Sequence, residues 1–261
     1  MRESVNHLAM LRRNLALTAG GKLLSDQRLP TGHAGLDATL GGGLMRGRVH
    51  ELYAAEAEDG PSAAGFAAMI ALRIAGRQAP IFWLMTDEAE RRGGVVHAAG
   101  LVELGGDPDS LVLGQAPDAK ALLRVAADAA RCPGLGALIV EAHGKCPALD
   151  LTASRRLALA VEQSGVTLLM LRLGAEPVPS AAETRWAVSA APSQALEANA
   201  PGSPTFDIEL LRRRSGPAGM RWRLEWNRDR LIFIDPALPG AVVPLPSRRP
   251  VAAQPGIRLS A

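Results

Sequence analysis

The segment that most limits what this chain can fold into is Thr31 to Ala75, where a short apolar run, a loop and an alanine-rich stretch follow one another. Val49 to Tyr53 reads as a buried strand, and Ala63 to Ile74 repeats its apolar residues at helical spacing. Ala54 to Ser62 therefore lies where a phosphate-binding loop would join strand to helix. A working loop reads G-x-x-x-x-G-K-[ST]. Its glycines admit phosphate to the backbone N–H groups, its lysine neutralises charge, and its hydroxyl holds Mg²⁺. Here the loop is AAEAEDGPS. Gly60 and Ser62 align with the second glycine and the hydroxyl, whereas Ala54 replaces the first glycine and Pro61 the lysine. Proline supplies neither a charge nor an N–H. Glu56, Glu58 and Asp59 set carboxylates where a triphosphate would bring its own negative charge. Two readings stand: a phosphate loop that has lost its chemistry, or an ordinary strand–helix connection with an acidic loop.

The rest of the chain repeats this alternation. Apolar strands are expected at Pro80–Met85, Leu111–Leu113, Ala137–Val140, Val166–Leu171 and Thr184–Ala190, with helices at Glu88–Ala99, Ala119–Ala130 and Ser154–Gln163. Strands that alternate with helices imply an α/β, doubly wound, mostly parallel sheet covered on both faces. Pro192 to Pro204 is rich in Pro, Ser, Ala and Gly and reads as a loop. Beyond it FDIELLRR, MRWRLEW and LIFID form an antiparallel meander, with Trp222, Leu224 and Trp226 on one face and Arg221, Arg223 and Glu225 on the other. The organisation expected is an N-terminal helix and glycine hinge over residues 1–21, a core over 22–195, linker and meander over 196–246, and a tail over 247–261. The N-terminal helix carries Val5, Leu8, Leu11 and Leu15 as an apolar stripe, which docks on a partner, a second copy or its own core.

Composition narrows function mainly by exclusion. Cys132 and Cys146 stand 14 apart without paired histidines, so neither a disulfide framework nor a zinc site is indicated. The histidines are scattered singly, and GPSAAG lacks the G-x-S-x-G spacing of a nucleophile elbow, which argues against a hydrolase. With no secretory signal and no apolar run of about 18 residues, a cytoplasmic protein away from the membrane is expected. A net charge of +3 is too mild to imply nucleic acid by itself. The C-terminal third concentrates arginine, including Arg212, Arg213 and Arg214 before the SGPAG loop and Arg248 and Arg249 in the tail. These are candidates for binding an acidic protein surface or, as a weaker accessory contact, a DNA backbone.

LPTGHAGLDATLGGGL, MRGRVHELYA, ALIVE, VTLLMLRLG, SAAETRWAVSAAPS, FDIELLRRRSGP and WRLEW together resemble the ImuA family, RecA-related accessory proteins of a bacterial damage-induced mutagenesis cassette. The resemblance covers nearly the whole chain. It implies a RecA-like, P-loop-type α/β core with a mostly parallel sheet and a C-terminal antiparallel β extension. It implies as partners ImuB, a Y-family-like polymerase without catalytic function, and an error-prone DnaE-type polymerase, acting in translesion synthesis within the SOS response. Self-association or contact with RecA is a further implication. Carried over by position, Pro61 stands for the phosphate-gripping lysine and Glu141, after the apolar LIV, for the Mg²⁺-coordinating carboxylate. Asp87 or Glu88 falls near the water-activating glutamate, and Gly174, with Arg172 just before, near the γ-phosphate sensor. Glu141 also reads as a carboxylate capping a buried strand, and Asp87 and Glu88 as first-turn helix residues. The expectation is a non-catalytic assembly module with no cofactor and no metal. A RecA-group ATPase is the alternative, and an inhibitor of a cell-division or recombination protein a weaker one.

Overall fold

In the computed structural model, residues 28–236 are described apart from 55, 77, 78, 197 and 199. Val5, Leu8, Leu11, Leu15 and the expected tail lie outside that range. Strands β3 (Val49–Ala54), β4 (Ile81–Thr86), β5 (Leu111–Ala116), β6 (Ala137–His143), β7 (Thr167–Leu173) and β8 (Thr184–Ala190) run parallel in the order β8-β3-β7-β6-β4-β5. Three antiparallel strands, β9 (Thr205–Arg213), β10 (Arg221–Asn227) and β11 (Ile232–Ile234), continue the same sheet outward from β8. The meander thus extends the core sheet edge to edge. A two-stranded ribbon of β1 (Arg28–Leu29) and β2 (Leu44–Met45) precedes it.

The central strands are apolar on both sides because helices cover both faces. One face receives α1 (Ala34–Leu40), α2 (Gly60–Ala75), α3 (Asp87–Gly93) and α4 (Ala98–Glu103), and Leu52, Leu171, Trp186, Leu224, Trp226 and Phe233 are buried there. The other receives α5 (Ala119–Ala129) and α6 (Leu151–Ser164), against Leu138, Val140, Leu168 and Met170. The tryptophans of the meander are therefore core: Trp226 is 1% exposed and donates its indole N–H to the Leu104 carbonyl. Trp222 is partly buried against the same core.

The expected helix over Glu88–Ala99 breaks in two. Gly94 caps α3 at φ 78°, a left-handed value that glycine takes freely, and the chain leaves the helical path before α4 begins at Ala98.

The Thr31-Gly32 opening is a structural knot. The Asp37 carboxylate accepts from Thr31 N, Thr31 Oγ1 and Gly32 N, and His33 caps α1 by accepting from Leu36 N. A Cβ at Gly43 would lie 2.0 Å from the Leu29 carbonyl oxygen, so the glycine run lets β1 and β2 meet.

Candidate functional site

At the C-terminal edge of β3, β4, β6 and β7 a cleft of about 640 Å³ opens, lined by Glu58, Gly60, Pro61, Ala64, Trp83, Met85, Arg92, Val95, Val96, Glu141, His143, Leu173 and Gly174. Its position, beyond the carboxyl ends of parallel strands and beside the first turn of a helix, is where α/β sheets hold ligands. The topology thus brings Gly60, Pro61, Glu141 and Gly174 together from distant parts of the sequence. Ala54 ends β3 just beneath the loop, and Ser62 faces a neighbouring groove over α2.

The loop itself is closed. Ala57–Asp59 form a 3-10 turn in which Asp59 N donates to the Glu56 carbonyl and Gly60 N to that of Ala57. The Glu56 and Asp59 carboxylates complete a reciprocal capping box, so the N–H groups of Glu56, Asp59 and Gly60 are all engaged within the loop. Asp59 also accepts from Ala190 N at 2.8 Å, tying the loop to the end of β8. Pro61 sits at the start of α2, where a missing N–H costs the helix nothing. Gly60 is right-handed helical at φ −50°, and a Cβ there would make an ordinary 3.8 Å contact with Leu173.

Glu141 is 5% exposed, and both of its oxygens are engaged. Trp83 Nε1 donates to Oε2 at 2.9 Å and His143 Nε2 to Oε1 at 2.7 Å. Asp87 and Glu88 stand on the first turn of α3 above the Thr86 cap, and Glu88 pairs with Arg92 at 2.6 Å. Arg92, the arginine in the cleft lining, is thus already matched.

Arg172, on the opposite face of the sheet from this cleft, is 2% exposed with Nε and Nη1 free of hydrogen bonds among the described residues. Its guanidinium lies 5.8 Å from the Tyr53 ring centroid, and that of Arg185 5.7 Å. Arg185 closes on Glu51 at 2.8 Å and on Ser180 Oγ at 3.0 Å. Burial raises the Tyr53 hydroxyl pKa, with the Glu51 charge adding to it and the two arginines opposing. An arginine within the otherwise apolar TLLMLRL was the sequence signal for this cluster.

The structure separates Arg212, Arg213 and Arg214. Arg212 donates to the Ser180 carbonyl, Arg213 to the Thr39 and Leu40 carbonyls at the end of α1, and Arg214 is exposed. Farther along, Arg221 pairs with Glu209, Arg223 with Asp207 and Arg228 with Glu103. Among the described residues no cluster of three or more His, Cys, Asp or Glu is arranged to hold a metal ion, and no helix is long and apolar enough to cross a membrane.

A six-stranded parallel sheet with a strand–loop–helix at its carboxyl edge and an antiparallel extension defines a RecA-like fold. It is similar to the crystal structure of the RadB recombinase, with a TM-score of 0.53 and 16% identity over 79% of this chain and 99% of that one. No family model matches the sequence. Protein ImuA of Caulobacter vibrioides, from strain NA1000 / CB15N and from strain ATCC 19089 / CIP 103742 / CB 15, is 35% identical over 209 residues, 73% of this chain and 73% of the relative. The chain belongs to the ImuA family.

Proposed function

We propose that this protein is a non-catalytic, RecA-like assembly module of a mutagenic translesion synthesis complex in the DNA damage response, holding polymerase partners in the cytoplasm. The observation that carries this reading is the closed loop: the N–H groups of Glu56, Asp59 and Gly60 point into its own turn and capping box, and Pro61 stands where a cation would grip phosphate. Glu141 supports it too, since Trp83 and His143 each donate to one of its oxygens and hold it in a structural network. The partners proposed, ImuB and a DnaE-type polymerase, are those that the ImuA resemblance implies. A protein relieved of nucleotide gating keeps its docking surfaces in one state, which suits a scaffold.

Titration calorimetry with MgATP tests the silent site, and the expectation is no heat from micromolar binding. Micromolar affinity, or turnover lost in Glu141→Gln, would promote the ATPase alternative. Co-purification with ImuB and the DnaE-type polymerase tests the scaffold, which predicts a stable complex in nucleotide-free buffer.

A further inference from the structure

Helices α5 and α6 lie side by side on one face of the sheet, and their outer surface carries Lys120, Arg124, Arg155 and Arg156, all exposed. Lys145, in the connection leading to α6, is exposed beside them and shares with Lys120 the lining of a cleft of about 460 Å³. None of these five cations has an ion pair or a side-chain hydrogen bond among the described residues, in contrast to Arg212, Arg213, Arg221, Arg223 and Arg228. The acids of the same helices are already committed. Asp118 and Asp150 cap α5 and α6, accepting from Ala121 N and Ala153 N. Asp128 pairs with Arg131, and Glu162 with Arg48. A surface whose acids are consumed internally while its cations are left over is complementary to negative charge from outside.

The cations gather at one level. Lys120 and Arg124 occupy the first two turns of α5, and Arg155 and Arg156 the corresponding part of α6. Parallel connectivity places both helix starts at the carboxyl edge of the sheet. Lys120, in the first turn, stands against the helix macrodipole, which disfavours a cation there. Local helix stability does not account for that choice. Among the cations Val125, Leu151 and Leu159 are also exposed, Leu159 by 58%, while no aromatic side chain lies on either helix. Single-stranded nucleic acid binders stack bases on aromatic rings, which this face lacks. Exposed aliphatic groups between cations fit a protein segment that brings both carboxylates and apolar side chains. The cleft between α5 and the end of β6 with the connection after it, lined by Leu122, Ala142, Pro147 and Ala148 beside the committed carboxylates of Glu88 and Asp118, has room for one apolar anchor.

We propose that the outer face of α5 and α6 is the docking surface for an acidic, aliphatic-containing segment of a protein partner. The proposal rests on the scaffold reading and adds the chemistry of the contact. The test uses the full chain with purified ImuB and DnaE-type polymerase. Carbodiimide joins lysine amines to carboxylates in direct contact, and Lys120 and Lys145 supply the amines of this face. Cross-links from either lysine to Asp or Glu of a partner are expected. The combined variant K120E/R124E/R155E/R156E should weaken association by about a hundredfold or more, and the neutral K120Q/R124Q/R155Q/R156Q by at least about tenfold. The control R221Q/R223Q should associate as the parent does, and thermal melting separates lost docking from lost folding. If the parent binds neither partner, the scaffold reading fails and takes this one with it. If the parent binds and both face variants bind equally well, or cross-links avoid Lys120 and Lys145, only the docking face is wrong. Partner binding retained while submicromolar binding of a labelled oligonucleotide disappears would make the face a nucleic-acid site and overturn the proposal.

Discussion

Arg213 in β9 and Arg155 in α6 carry the same guanidinium, yet the first is spent inside the fold and the second faces outward unmatched. Arg213 closes the carboxyl end of α1 by donating to Thr39 and Leu40, and its neighbours in the meander find Glu209, Asp207 and Glu103. Arg155 and Arg156 stand on a helix whose acids are already bound elsewhere. The C-terminal third is the more arginine-rich in sequence, but richness in charge is not availability of charge. What decides is whether an acceptor lies within reach, and that depends on residues far away along the chain.

The sharpest way to break this contrast is to remove a cation that the fold uses in the interior. Arg185→Ala leaves the Glu51 carboxylate buried without its partner, and equilibrium unfolding should report a loss of about 3–5 kcal/mol. Replacing both Glu51 and Arg185 by leucine should cost much less than Arg185→Ala alone. A loss below about 1 kcal/mol for Arg185→Ala would mean that the pair is not desolvated.

His50 tests the same principle through pH. It is buried between Thr184 Oγ1 and the Met45 carbonyl, and its pKa is lowered to about 4, chiefly by burial, with Arg48 adding to the effect and the Met45 contact opposing it. Below its ordinary value near 6.5 the unfolded chain takes up a proton that the folded chain refuses. Stability from this group is therefore complete above pH 6.5 and is lost as pH falls toward 4, by an amount on the order of 3 kcal/mol. His50→Gln should flatten that limb of the stability–pH curve, whatever it does to stability at neutral pH.

Arg213→Ala should destabilise by about 1–2 kcal/mol, because the Thr39 carbonyl loses its side-chain donor while that of Leu40 keeps Arg28, and partner association stays unchanged in the folded protein. Smaller still, Gly60→Ala should be neutral or stabilise by about 0.4–1 kcal/mol, since Gly60 is helical and its Cβ position is open. A phosphate loop in use would not tolerate it. At the far end of the scale, Arg155→Ala with Arg156→Ala should leave the unfolding midpoint where it was, within about 0.5 kcal/mol. Measurable destabilisation there would show that these cations are also spent on the fold.

The strand–loop–helix frame, the mostly parallel α/β character of the core and the apolar face of the meander were legible because each rests on a short-range pattern. Val49–Tyr53 is a continuous apolar run, α5 keeps helical periodicity, and Trp222, Leu224 and Trp226 alternate with charges. Pro61 was equally legible, since no tertiary contact can return a lysine's charge to proline. The split of Glu88–Ala99 into α3 and α4 was missed although Gly93-Gly94 marks it, because the flanking apolar residues kept helical spacing across the break.

Other properties belonged to the tertiary structure alone. Asp59 reads as an acid facing phosphate, but one of its oxygens holds Ala190 N across 131 positions. Glu141 reads as a magnesium ligand or a strand cap, and it accepts from Trp83 and His143. Arg212 and Arg213 read as a free basic run, and they are bonded to carbonyls on separate segments. Local sequence thus determined which elements form and which chemistry the loop had lost, because periodicity and residue type are read within a few positions. Only the packed structure decided which charges remain for a partner, because a charge is free or spent according to the neighbours the fold brings to it, from the adjacent strand for Arg223 to 174 positions away for Arg213.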